Sequence, residues 1–492
     1  MPSFEIKLIL QVPAGSRAAV RAEMGRGVTT LERASSTELH LDTPDHRLAR
    51  AGLSWRLRRE GRRWVQVLQV AGAEDVERCE HVVPRPDGTL DDQAHAGTPA
   101  GKALGDALRA ARADGAQVGE RFRTEVRRTA RRVRARGATF EVAFDQGKLM
   151  AGTAAVRLCE ISFGEVVGST SVMLTFAERW RARFGLVLEP RTTAQRGERL
   201  ADGERFPPVR KAQRPTYARE ASAGEALGAV LDECLAQVTH NAIGLLEADP
   251  ALRVDQVHQL RIGVRRLRSA LRSFAGWAPA PPDALVDGLK ALFAELGRAR
   301  DADVLKGGVA AALAAAGAPR LALPAQERGP DLAQAVGDAK VQRVLLGWLA
   351  WRASLCDASE DSEEAPDFHR SAQRRLRRWH RRIEADGKAF DDLDEAALHA
   401  LRKRIKRQRY AVEFFMPVLR RRHVARYLKP LAVVQDRMGE LNDLFVAKAR
   451  YEALVESHSQ AWFALGWITA RIAEVRALVK AELRWLAEAE AP

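Results

Sequence analysis

Residues 257–274 read VHQLRIGVRRLRSALRSF. The apolar residues Leu260, Val264, Leu267 and Leu271 recur every three or four positions, which predicts an amphipathic helix with one core-facing side. At about 100° per residue, His258, Arg261, Arg265, Arg268 and Arg272 fall on one flank roughly 80° wide, and Arg266 widens it. A solvated surface is the ordinary explanation for such a run. Here like charges at i, i+3 and i+4 repel one another, and no acidic residue within the stretch relieves them. Arginine suits phosphate because its planar fork donates two parallel charge-assisted hydrogen bonds. Over 18 residues the column extends about 27 Å, which fits an extended polyanion better than a single phosphate group.

The column occurs twice. HALRKRIKRQRYAVEFF (399–415) aligns without gaps with residues 258–274, pairing His258 with His399, Arg261 with Arg402, Arg265 with Lys406, Arg268 with Arg409 and Phe274 with Phe415. Lys403 and Arg407 widen the second stripe, and Glu413 is its only acid. Downstream, LGRARDADVL (296–305) pairs with MGELNDLFVA (438–447), placing Gly297 on Gly439 and Asp301 on Asp443. An internal duplication of this kind predicts two similar helical bundles packed as pseudo-twins. The two histidines admit two readings, an imidazolium donor to phosphate or a neutral side chain capping local structure.

Outside these helices the texture changes near residue 205. SFEIKLIL, TELHLDTP, LSWRLRRE, RWVQVLQV, ATFEVAFDQG and LCEISFGEV each alternate apolar and polar residues, which predicts strands curled around a charged interior. The expected organisation is α+β in two domains: an antiparallel barrel over 1–200, a proline-rich linker over 201–216, and an all-α domain over 217–488. The α domain divides into halves of about 217–356 and 367–488, separated by the acidic loop DASEDSEEAPDF (357–368).

The totals agree with an anion-binding role. Lysine and arginine number 79 against 64 acidic residues, a net charge of +15, and such a field concentrates anions at the surface. Cysteines 79, 159, 234 and 356 form no close pair, which argues against a zinc site or disulfide framework and for a reducing compartment. No basic segment followed by an apolar core opens the chain, and no apolar run reaches the roughly 18–20 residues of a spanning helix. A cytoplasmic protein without a membrane partner is expected. Aromatic residues are only 6 %, with no aromatic-rich strand motif for stacking on bases, so nucleic acid ranks third as a ligand.

The duplicated helices, LGRARDADVL and VVQDRMGELNDL resemble the CHAD family over roughly residues 217–488. That resemblance implies two pseudo-symmetric four-helix bundles whose basic central surface binds inorganic polyphosphate, in several members on polyphosphate granules. The strands before residue 205, above all LDTPDHRLARAGLSWRLRREGRRWVQVLQ, resemble a CYTH, or triphosphate tunnel, domain. That resemblance implies a closed barrel with basic residues for a triphosphate, here Lys7, Arg56, Arg58 and Arg128, and acids for Mg²⁺ or Mn²⁺, here Glu5, Glu80, Glu141 and Glu160. The acid set is incomplete: Ser3, Val82, Ser162 and Gly164 replace expected acids, and Gln69 replaces a lysine.

A lumen that keeps its arginines but loses carboxylates still offers donors to phosphate while offering less oxygen to a metal. Three functions follow, in order. The first is a polyphosphate-binding protein that needs no cofactor, with a barrel that holds tripolyphosphate or a polymer end and hydrolyses it weakly or not at all. The second is a metal-dependent inorganic triphosphatase. The third is a nucleic-acid binder.

Overall fold

The computed structural model describes residues 7–27, 30–70, 79–247, 249–319, 331–357 and 367–492. It divides into two compact units, Met1–Pro208 with Leu345–Ala350, and Val209–Val344 with Trp351–Pro492. No helix among the described residues is long and apolar enough to cross a membrane.

Among the described residues, the first unit is built on one nine-stranded antiparallel sheet. In chain order its strands are β1 (Leu8–Gln11), β2 (Glu32–Asp42), β3 (Leu53–Glu60), β4 (Arg63–Val70), β5 (Cys79–Pro84), β6 (Gly119–Ala135), β7 (Ala138–Ala151), β8 (Ala154–Val167) and β9 (Val187–Leu188). They lie side by side as β5-β4-β3-β2-β6-β7-β8-β1-β9. Alternation gives each strand two different faces. On one, Leu53, Trp55 and Leu68 pack with Leu48 of α2 (Arg47–Arg50) and with Leu104 and Leu108 of α3 (Pro99–Ala113). On the same face, Phe140 and Phe163 meet Phe176 of α4 (Thr170–Phe184) at 5.3 and 6.3 Å.

The other face is largely polar. A short helix, α5 (Thr193–Ala201), lies on it over a cluster of Phe122, Leu149, Leu158 and Leu200. Gly197 allows that approach, since a Cβ there would stand 2.2 Å from the Phe122 ring. α1 (Arg17–Met24) is tied to β6 by Arg131, whose Nη1 donates to the carbonyls of Glu23, Met24 and Arg26.

The expected closed barrel is corrected to an open sheet. Its edges are β5 and β9, and among the described residues no ladder joins them. With two residues, β9 has too little length to carry a closing ladder.

The second unit is helical. Its first half contains α6 (Ala223–Glu247), α7 (Arg253–Ser273), α8 (Asp283–Gly307), α9 (Val309–Ala315), α10 (Leu332–Gly337) and both ends of α11 (Ala339–Asp357), whose Leu345–Ala350 groups with the first unit. α6 packs on α7 and α7 on α8. Gly263 lets α6 and α7 close up, because a Cβ there would meet Val238 at 2.9 Å. Arg352 of α11 ties back to α6 through an ion pair with Asp232 at 2.7 Å.

The second half is a ring of four: α12 (Phe368–Lys388), α13 (Glu395–Phe415), α14 (Arg421–Glu452) and α15 (Ala461–Ala487), with α15 returning to pack on α12. The halves join where α7 meets α13. There the duplicated residues Phe274 and Phe415 touch ring to ring at 5.3 Å, inside an aromatic cluster with Trp277 and Phe368. The segment expected as a linker makes contacts of its own. From residue 209 onward it is strapped to α6: Arg210 ion-pairs with Glu233 at 2.8 Å, and its backbone N–H and carbonyl are both bonded by the Asn241 amide.

Candidate anion-binding site

The duplicated helices bury their apolar sides as their periodicity requires. Leu260, Val264 and Leu267 on α7, and Leu401, Ile405 and Val412 on α13, are almost wholly buried. Asp394 caps α13 by accepting from the Ala397 N–H at 2.7 Å, which satisfies one of the orphan donors of the first turn. With the apolar stripes fixed in the two bundles, the basic flanks turn toward each other. Between them lies a cavity of about 1360 Å³. His258, Arg261, Arg265 and Arg266 enter it from α7, and Arg402, Lys406 and Arg409 from α13.

Neutral groups help to hold several arginines of α7, while Arg266 also stands 3.8 Å from Glu233. Arg261, Arg265 and Arg268 all stand over the ring of Phe293 on α8, at 5.1, 5.7 and 5.5 Å. A ring face attracts a cation without cancelling its charge. Arg261 also donates to the Leu296 carbonyl at 2.6 Å. Arg266 is different. Only 2 % exposed, it donates to Gln237 Oε1 at 3.0 Å and to the Gln213 carbonyl at 2.8 Å, so much of its hydrogen-bonding capacity serves the framework.

The remaining members of the two columns part company. Arg268 and Arg272 do not line the cavity. Burial, followed by the charges of Arg272 and Arg265, pulls the Arg268 pKa down. Arg409 carries an ion pair with Glu413 at 3.0 Å. His399 is exposed, its Nδ1 lies 3.2 Å from Asn442 Oδ1, and it borders a smaller cavity of about 530 Å³ that shares Arg402 with the larger one. Lys403 is exposed and lines neither.

Three features escaped the sequence reading. The far wall of the cavity is mixed in charge: Asp436, Glu440 and Asp443 of α14 and Glu474 of α15 face it. Of these, Glu440 is held by Arg437 at 3.1 Å and by Arg471. Phe293 is the second, and helical spacing could have found it one turn before Gly297. The third is α12, with seven arginines between positions 370 and 382.

On the polar face of the sheet, arginine meets acid throughout. Arg56 bonds Glu38 at 3.1 Å and Gln69 at 3.3 Å, with Glu80 at 3.9 Å. Arg58 stands 3.8 Å from Glu80. Arg128 makes a bidentate pair with Asp145 at 2.9 and 2.8 Å, which raises its pKa. Glu160, 5 % exposed, is bonded by Arg196 and approached by Thr193. Burial would raise the Glu38 pKa, but the hydrogen bond and charge of His40 and the charges of Arg56 and Arg58 overcome it and lower the value to about 2.

Lys7 is exposed just before β1, and Glu141 sits on β7 opposite Arg132. Glu5 lies outside the described residues. Among the described residues no three His, Cys, Asp or Glu side chains come together to hold a metal. Of the acids carried over for a divalent cation, Glu80 stands 3.9 Å from Arg56 and 3.8 Å from Arg58, and Glu160 is bonded by Arg196.

Comparison with known proteins gives the following. Residues 229–452 match the CHAD domain family. The crystal structure of the CHAD domain from the plant Ricinus communis is 31 % identical, covering 57 % of this chain and 98 % of that one, with a TM-score of 0.47. A putative adenylyl cyclase from Hippeastrum, described as having a dominant triphosphatase activity, is 14 % identical over 42 % of this chain and 98 % of its own, with a TM-score of 0.30. A putative adenylate cyclase from Bacillus halodurans is 13 % identical over 38 % of this chain and 93 % of its own, with a TM-score of 0.27.

Proposed function

Through residues 229–452 this chain belongs to the CHAD domain family, and from that premise we propose that it binds inorganic polyphosphate in the cavity between α7 and α13. The observation that carries the reading is the convergence of cations from both halves, Arg261 and Arg265 with Arg402, Lys406 and Arg409, on one space of about 1360 Å³. A linear phosphate polymer bears charge at every unit, and two rows of cations facing each other can engage it from both sides. No cofactor is needed for that. A net charge of +15 adds long-range attraction that salt screens.

The sheet is the second anion site of the chain, and its pairing favours binding over hydrolysis. Glu38, Asp145 and Glu160 each accept from an arginine, so the face offers a phosphate guanidinium groups already shared with acids. In this reading it holds tripolyphosphate or a polymer end weakly. A triphosphatase using Mg²⁺ or Mn²⁺ is the alternative, and nucleic-acid binding the third. The protein works in the cytoplasm, where polyphosphate granules are a place for it.

The test measures affinity of the full chain for long polyphosphate against an Arg402→Glu/Lys406→Glu variant. Strong, salt-sensitive binding lost in the variant is expected, and equal affinity in both proteins would remove the cavity from the mechanism. Phosphate release from tripolyphosphate with Mn²⁺ is expected to stay near background. Rapid turnover abolished by Glu160→Ala would establish the enzyme instead.

A further inference from the structure

α6 and α12 are counterparts. The offset that carries His258 onto His399 also carries Glu247, the last residue of α6, onto Lys388, the last of α12. Their surfaces have nothing else in common. α6 contains no lysine or arginine, whereas α12 reads FHRSAQRRLRRWHRRIEADGK. Arg370, Arg374, Arg377, Arg378, Arg381 and Arg382 are all exposed, and helical geometry sets them on one face about 140° wide and about 18 Å long. Arg370 pairs with Asp367 at 3.2 Å. Among the described residues, Arg377, Arg378, Arg381 and Arg382 have no acidic partner.

This face connects to the duplicated helices. Arg407 of α13 lies over the Trp379 ring of α12 at 4.4 Å. At the end of α7, Arg375 of α12 donates to the Ser273 carbonyl at 2.6 Å, so α12 touches both duplicated helices, and burial, then the positive charges of Arg272, Arg382 and Arg404, hold the Arg407 pKa down. Along α7 the same series runs from Arg265 in the cavity to Arg268 and Arg272 outside it. Mutually repelling guanidinium groups on three helices are stable only in the company of an anion, whether bulk counterions or a bound ligand.

We propose that the arginine face of α12 is a second, exterior binding surface for a linear phosphate polymer, continuing from the cavity over Arg268 and Arg272. The inference rests on the cavity reading and adds a length requirement: an oligophosphate fills the cavity alone, and only a long chain reaches α12. Phosphate is favoured over nucleic acid because the neighbouring rings of Trp277 and Trp379 are already covered by Arg375 and Arg407, at 3.5 and 4.4 Å, leaving them closed to base stacking. It is favoured over a lipid surface because α12 carries none of the exposed large apolar side chains an interfacial helix inserts.

The experiment uses the full chain, an Arg378→Glu/Arg382→Glu variant, and an Arg378→Gln/Arg382→Gln variant as a milder control on folding. Probes are tripolyphosphate, long-chain polyphosphate, single-stranded DNA and phosphatidylserine vesicles. Both variants are expected to bind long polyphosphate more weakly, by roughly tenfold for the glutamates, with the salt slope reduced by about two and tripolyphosphate binding unchanged. Unchanged long-chain affinity and slope overturn the inference while leaving the cavity reading intact. Loss of DNA or vesicle binding with polyphosphate retained overturns it as well, and assigns the face to that ligand. A wild-type chain that binds neither polyphosphate defeats the cavity reading first, and the inference with it.

Discussion

The sheet and the helical cavity both present rows of arginine, and they hold them in opposite ways. On the sheet, Arg128 faces Asp145 on the adjacent strand, Arg56 reaches diagonally across to Glu38, and Arg196 reaches Glu160 from α5. Each charge is largely cancelled where it stands. On α7, Arg265 and Arg268 are held by the Phe293 ring and, among the described residues, have no acidic partner. Arginine content alone therefore does not measure affinity for phosphate. What matters is whether the group that positions the guanidinium is itself charged.

The largest effect is expected in the cavity, where cations of both duplicated helices converge. Arg265→Glu/Lys406→Glu should weaken long-polyphosphate binding by about a thousandfold in a salt titration, because two attractions become two repulsions. Arg56→Glu should change it less than about threefold. A comparable loss from the sheet variant would erase the distinction between the two sites. The reverse manipulation sharpens it: Asp145→Asn releases Arg128, and tripolyphosphate binding by calorimetry is expected to tighten about tenfold. No gain would show that the acid is not what limits the sheet.

A third expectation concerns acid. Glu38 titrates at about 2 in the fold against an ordinary value of 4.5. A depressed carboxylate stabilises above its unfolded pKa, and that stability is lost as pH falls through the folded one. The sheet unit should therefore lose stability from about pH 4.5 downward, and Glu38→Gln should flatten that part of a pH-dependent unfolding profile. An unaltered profile would deny Glu38 its place in the pairing. The smallest effect belongs to Phe293→Leu. It removes the ring under three arginines and should weaken polyphosphate about three- to fivefold with little change in melting temperature.

Much of this was legible in the sequence. The α7 and α13 columns could be read because apolar and basic residues share one 3.6-residue period, and repetition made the pattern stand out. β6, the longest strand, was not read, since arginines at 121, 123, 127, 128, 131, 132 and 134 fall on both its faces and blur the alternation. α12 was passed over for the opposite reason. Duplication directs attention to what two halves share, and α12 is where they diverge. The openness of the sheet depends on pairing partners that no local pattern encodes. The strapping of residues 209–213 depends on Glu233 and Asn241, twenty or more residues away.

The contact between Phe274 and Phe415 has a last consequence. Equivalent residues touching across a twofold are what an isologous dimer would show, yet here both belong to a single polypeptide. A cavity formed between two subunits would dissolve on dilution, whereas this one persists however scarce the protein becomes. Covalent linkage also frees each wall from having to match the other, so a change on one side no longer forces its mirror image on the opposite side.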